Sequence, residues 1–401
     1  MPDLKLIFLA VLCTVGTVVL QAQTNGAQHF NNNESAFNPA FTGKKGAVRL
    51  SVSDRSQWGA ATAAEYSART FTYEETMPCF FLDYGFFFHE RTEGEGQLKT
   101  TEFGGRVAAA FPLSRKRASN QYNLRIGFGL TAGQRSINFG DLTFLDQLNP
   151  FFGLNDADGN ANPTGFQPSS GGGLSPRYTT PSLGFALKGG LNLQKTRSTT
   201  FDVGVSVHNL GFLVGPDSRQ TASLLGLDNA LGERWVFSGV LDHVFAKVNG
   251  RYWSVRPLLL VQQQAGLGYL EAGAGVSWNK NMLVGAYYHQ ANPQSAGANV
   301  NWTSLQVEVG SILPGPRTQR QKSRIDLALS YSFQYGRLKN TVRPPLELTA
   351  TFSFGTSGAC ALLGYDVDGE ANMARKSGTS CHNFTSARNR LYDNIWYRDA
   401  R

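Results

Sequence analysis

Past residue 20 the 401-residue chain has no run approaching the roughly 20 consecutive apolar residues of a membrane-spanning helix. That excludes a helical membrane protein. Cysteine is scarce: Cys13 lies in the leader, and Cys79, Cys360 and Cys381 make an odd remainder. An oxidising compartment is thus only partly reflected in cysteine usage. No proline-rich linker or block of charge divides residues 46–355, so a single domain is expected there. His29, His89, His243, His289 and His382 show no metal-ligand spacing, and no metal site or cofactor is inferred. His208 beside Asn209 resembles a lipase-like pair, yet spacing identifies no matching serine nucleophile.

The N-terminus carries Lys5, then a mostly apolar stretch from Leu6 to Leu20, too short to span a bilayer, then Leu20-Gln21-Ala22. The expectation is a signal peptide over residues 1–22, against the alternative of a buried N-terminal strand or helix. Glycine (44 residues) and aromatics (12%) are both abundant while mean hydropathy is only −0.25. This is the composition of an outer-membrane barrel, half lipid-facing and half wet.

Period-two alternation carries the fold. Tyr122, Leu124, Ile126, Phe128, Leu130 and Ala132 alternate with Asn123, Arg125, Gly127, Gly129, Thr131 and Gly133. Ile325, Leu327, Leu329, Tyr331 and Phe333 repeat the pattern against Asp326, Ala328, Ser330 and Ser332. Basic side chains facing lipid at mid-membrane would cost roughly 2–4 kcal/mol each, so the polar face is the lumen. Arg125, Asp202 and Glu271 should point inward, and Phe128, Val205 and Leu329 outward. Runs near 46–54, 61–70, 79–90, 100–112, 121–135, 179–193, 200–209, 234–247, 251–262, 268–278, 281–290, 299–312, 323–336 and 345–354 predict an all-β transmembrane antiparallel barrel of about 14 strands. Even parity puts both chain ends in the periplasm, and the long connections 136–178 and 210–233 fall outside. A soluble β-sandwich would show shorter strands and no such parity.

The domain reading is a signal peptide (1–22), an N-terminal entry or plug segment (23–45), the outer-membrane barrel (46–355) and a periplasmic C-terminal extension (356–401). The plug segment contains "NESAFNPAFTGKKG", residues 33–46, whose Pro39 gives up an N–H and whose Gly43 permits positive φ. It reads either as a turn into the first strand or as a plug or partner surface, with Phe37 and Phe41 packing into the barrel.

Together with "VRLSVSDRSQW", this stretch resembles the start of the PorP/SprF family of type IX secretion membrane proteins, in Asn38-Pro39-Ala40-Phe41, Gly43, Arg55, Gln57 and Trp58. "LRIGFGLTAGQRSINFGDLTFLDQL" (124–148), "FDVGVSVHNL" (201–210), "RPLLLVQQQ" (256–264) and "LELTATFSFG" (346–355) follow in the family's order. The resemblance implies a non-enzymatic component of type IX secretion and gliding in the outer membrane of a Gram-negative, Bacteroidota-type bacterium. Its implied partners are outer-membrane lipid, a secreted cargo protein with a type IX C-terminal sorting domain, and periplasmic ring or lipoprotein components. Phe37, Asn38, Pro39, Phe41, Gly43, Arg55, Gln57 and Trp58 are the partner-binding candidates. A channel or hydrophobic-substrate transporter is the alternative, and a barrel lipase the third class.

Three further features stay open at this level. Asp156, Asp158 and Asn160 alternate as in calcium loops, but Ala161 stands where such a loop needs glycine. The basic clusters 112–120 and 314–324 face the periplasm by parity, as solvated charge or as docking sites for an acidic partner; an exported barrel meets no nucleic acid. In the tail, Cys360 and Cys381 are a disulfide candidate, and Leu391 and Ile395 at i, i+4 predict a short helix over 386–398.

Overall fold

The computed structural model describes residues 29–57, 66–77, 82–94, 96–114, 119–165, 173–192, 198–211, 232–248, 251–264, 267–292, 300–313, 323–334 and 344–355, with 393 and 395. Wherever the sequence alternates, one face of the chain must meet lipid and the other the lumen, and the backbone extends. Fourteen strands result. They are β1 Val48–Gln57, β2 Tyr66–Met77, β3 Leu82–Glu93, β4 Leu98–Pro112 and β5 Gln121–Ser136. Then come β6 Tyr178–Leu191, β7 Thr199–His208, β8 Arg234–Val248, β9 Arg251–Gln264 and β10 Leu267–Trp278. The last are β11 Met282–Asn292, β12 Val300–Leu313, β13 Ser323–Gln334 and β14 Leu346–Phe354.

Each strand pairs antiparallel with its neighbours, and β1 closes on β14 from Val48↔Phe354 to Ser56↔Leu346. Closure leaves no strand edge to be satisfied in hydrocarbon, where an unpaired backbone group has no water to turn to. Both ends of the strand series therefore sit at one rim. The two-residue step from Val248 to Arg251 and the short step from Trp278 to Met282 lie at that rim as well, as periplasmic turns do.

The faces sort as the alternation requires. Phe128 (42%) and Leu329 (47%) are exposed to the bilayer side, whereas Arg125 (1%) and Glu271 (0%) are buried in the lumen. Position differs most for the second strand, expected over 61–70 and found over Tyr66–Met77. The stretch Thr70-Phe71-Thr72-Tyr73-Glu74 reads as polar, yet Thr70, Thr72 and Glu74 point inward and are buried, so the polar residues belong to the strand's luminal face.

Fourteen strands enclose more space than wall side chains fill. The segment from His29 to Lys44 occupies it, and Phe30, Phe37, Ala40 and Phe41 form one buried cluster with the wall residues Ala186, Val236, Val240, Leu258, Leu260, Tyr269 and Tyr287. The segment folds as one helical turn, Glu34–Phe37, and a 3-10 turn, Pro39–Phe41. Pro39 opens the second turn, where a missing N–H costs nothing, and the Asn38 side chain accepts from Ala40 N at 2.9 Å. The long outer connection does not enter the lumen in its described part; Leu145 and Phe151 are 85% and 89% exposed.

Candidate functional site

The inner wall is shaped to receive the segment. A Cβ at Gly184 would lie 2.0 Å from Asn38 Oδ1, one at Gly204 2.6 Å from Asn38 Nδ2, and one at Gly127 2.2 Å from Ala40 N. Gly127 on β5 lets the segment's backbone lie against the wall, and Gly184 on β6 and Gly204 on β7 make room for the Asn38 side chain. Asn38 Nδ2 then donates to the carbonyls of Phe185 (3.0 Å) and Val205 (3.2 Å). Gly43 takes φ +69° with Asp83 against it, so a side chain there would be both strained and blocked.

Arg125 fastens the segment from the side. Its Nε donates to Ala40 O at 2.8 Å, and one Nη donates to Thr42 O and to Asp83 Oδ2, both at 2.6 Å. Arg125 and Asp83 are 1% and 0% exposed, so the charges have one another in place of water. Above them Phe30 packs on Phe37 (centroids 5.4 Å apart) and on Phe41 (6.0 Å, edge to face). Burial of each phenylalanine is worth about 1.5–3 kcal/mol.

Toward the periplasmic rim lies an ionic cluster. Lys44 pairs with Glu34 and, at 3.0 Å, with Asp202; Lys45 (3.1 Å) and Arg256 (3.3 Å) also reach Glu34. Asp393, from the C-terminal extension, joins them by pairing with Lys188 and with Lys45 at 3.2 Å. Its amide donates to Lys44 O at 2.8 Å, and Arg324 donates to Ile395 O at 3.2 Å. Burial alone would push the Asp393 carboxyl up, but Lys188, Lys45 and Lys44 hold it well below the usual carboxylate range. Asp393 and Ile395 are not helical, and the rest of 386–398, over which a short helix is expected, lies outside the described residues.

At the outer end the segment meets a second polar cluster. Glu347 accepts from His29 N (3.2 Å) and Asn32 Nδ2 (2.7 Å), with Arg55 at 3.6 Å; Arg55 in turn donates to Gln57 at 3.1 Å. His29 Nδ1 is 3.2 Å from Glu271 Oε1, and His289 Nδ1 is 2.7 Å from the Tyr269 hydroxyl. Nitrogens of His29 and His289 and an oxygen of Glu271 all fall within 4.8 Å of one another. The sequence gives no hint of this grouping, because the three residues come from the segment, β10 and β11.

Of the residues singled out from the sequence, Phe37, Asn38, Pro39, Phe41, Arg55 and Gln57 are all buried inside the barrel, and Gly43 makes the close approach to Asp83. Trp58, Cys79, Cys360 and Cys381 lie outside the described residues. His208 Nε2 does have a serine within reach, Ser206 Oγ at 3.2 Å, but that hydroxyl donates to Phe37 O at 2.6 Å and both side chains lie beneath the segment. In the outer loop Asp156 Oδ1 accepts from the amides of Asp158 (2.9 Å) and Asn160 (2.8 Å), which lower its pKa and commit the carboxylate to its own turn.

A closed, even-stranded antiparallel barrel with a lipid-facing apolar wall and a segment of its own chain packed in the lumen defines an outer-membrane β-barrel protein. Residues 19–352 match the family described as type IX secretion system membrane protein PorP/SprF. The chain belongs to that family, and it is a membrane component of type IX secretion. No curated protein is significantly similar in sequence. Among solved structures, the chain is similar to the CymD monoaromatic hydrocarbon channel at 12% identity and TM-score 0.36, over 82% of this chain and 94% of that one. It is similar to a Pseudomonas aeruginosa FadL homologue at 14% identity and TM-score 0.37, over 83% and 95%. The Pseudomonas putida toluene transporter TodX aligns at 10% identity and TM-score 0.35, over 84% and 96%.

Proposed function

We propose that this barrel holds a secreted cargo protein, one bearing a type IX C-terminal sorting domain, at the surface of a Bacteroidota-type cell, without catalysing a reaction. The observation that carries this reading is the filled lumen. A barrel whose interior is occupied by Phe30, Phe37 and Phe41 and by the Arg125–Asp83 pair is poorly suited to diffusion, and its working surfaces are then its two ends. The outer end offers exposed apolar side chains, Leu145, Phe151 and Phe152, on a loop rooted in the wall. The periplasmic end, where Asp393 is held among Lys44, Lys45 and Lys188, is the surface left for a ring or lipoprotein component. Phe37, Asn38, Pro39, Phe41, Gly43, Arg55 and Gln57 serve partner binding indirectly in this reading, by setting where the segment sits.

The test is deletion of the gene in its native host. Surface display of one exoprotein should disappear while bulk type IX secretion continues. Loss of every secreted protein would make the barrel part of the shared translocation machinery. Unchanged display together with steady conductance of the purified wild-type protein would favour a channel or hydrophobic-substrate transporter.

A further inference from the structure

Glu271 is fully buried, and among the described residues the only basic group within ion-pairing distance of it is the imidazole of His29. The nearby guanidinium, Arg55, is paired with the other buried carboxylate, Glu347. Two buried acids therefore lie beside one fixed cation, with His29 and His289 between them.

The hydrogen bonds around the two rings point to another cation. His29 Nε2 is 2.5 Å from Ser330 Oγ and His289 Nε2 is 2.7 Å from Ser304 Oγ, so each imidazole is anchored through the nitrogen that faces away from Glu271. His289 is further held flat against Trp302, with ring centroids 5.1 Å apart and planes 5° from parallel. Both Nδ1 atoms are thereby turned toward the middle of the cluster, with the Tyr269 hydroxyl beside them, 2.7 Å from His289 Nδ1 and 3.4 Å from Glu271 Oε2. Anchoring the outer nitrogen of each imidazole is how metal-binding histidines are oriented and kept in the ligating tautomer.

We propose that His29, Glu271 and His289 form a zinc site that fastens the outer end of the luminal segment to β10 and β11. Two neutral imidazoles and one carboxylate are a donor set that zinc accepts, and the Tyr269 hydroxyl borders the fourth position. Bonds of about 2.0–2.2 Å require ligand atoms roughly 3.3 Å apart. The widest separation here is 4.8 Å, a difference that small side-chain rotations close. The cation would offset the Glu271 carboxylate and tie His29 of the luminal segment to the wall, whether or not the barrel carries cargo.

The experiment uses full-length barrel purified in mild detergent without chelator. Elemental analysis should find about one zinc per chain, and Glu271→Gln and His289→Gln should fall at least about tenfold below it while remaining heat-modifiable folded barrels. Wild-type protein supplies a reading that needs no variant: after chelator stripping, added Co2+ should give the visible absorption of a four-coordinate nitrogen–oxygen site, and prior Zn2+ should block it. Wild-type protein that contains no zinc and takes up neither ion overturns the proposal, leaving His29 and Glu271 as an imidazolium–carboxylate pair. Zinc retained at the wild-type level in both variants overturns it equally.

Discussion

The carbonyl of Lys44, where the luminal segment leaves the barrel interior, accepts the amide of Asp393 at 2.8 Å. The side chain of the same aspartate bridges Lys45 and Lys188, so one residue of the C-terminal extension makes a closure between that extension, the segment and β6.

Asp393→Asn should loosen that closure. Asp393 is 23% exposed, so the loss is placed on the order of 2 kcal/mol, below the range for a fully buried pair. Its folded pKa is depressed, so the stabilisation is complete above the unfolded value near 3.9 and is lost as pH falls through the folded value. The difference between wild type and variant in thermal midpoint should be constant from about pH 8 to 5 and shrink below about 4. A gap that instead grew on acidification would contradict the pairing.

Arg125→Met should destabilise the folded barrel by about 3–5 kcal/mol, because it removes the countercharge paired with the buried Asp83 carboxylate and frees the carbonyls of Ala40 and Thr42. Adding Asp83→Asn in the same chain should recover part of the loss. Heat-modifiability on gels measures both, and a double variant no better than the single would mean that Asp83 is satisfied by other groups.

The wild-type barrel should be silent in planar bilayers, and removal of residues 29–43 should open a steady conductance. Gly184→Val should act in the same direction, since a Cβ there meets Asn38 Oδ1 at 2.0 Å. Equal conductance of all three proteins would show that the segment does not obstruct the lumen.

Spin labels at Phe103, Phe128 and Leu329, exposed by 62%, 42% and 47%, should relax readily with oxygen dissolved in the bilayer. Labels at the luminal Ser238 and Ser254, each 5% exposed, should respond weakly both to oxygen and to a water-soluble nickel chelate, because the segment fills the space they face. Strong nickel relaxation there would mean a wet, open interior.

The barrel itself was legible along the chain. Strand number and facing follow from alternation such as Phe128 against Arg125, because a strand has a fixed period of two and the bilayer punishes polarity on only one side. Strand ends were less legible. In β2 the luminal threonines and Glu74 look like loop until the lumen is seen to be polar and filled. The Asn-Pro motif marked Asn38 and Pro39, and its two readings, turn or plug, were equally consistent with the residues. Only closure of the sheet places both residues against the inner wall. The three glycines that receive the segment lie on separate strands, and only a closed barrel brings Gly127, Gly184 and Gly204 around one asparagine and one proline turn. The same holds for His29, Glu271 and His289, and for Asp393 among its lysines. Local periodicity encodes which face a residue takes, because that depends on its immediate neighbours; which residues share a site depends on chain closure between distant segments, for which a single sequence carries no periodic signal.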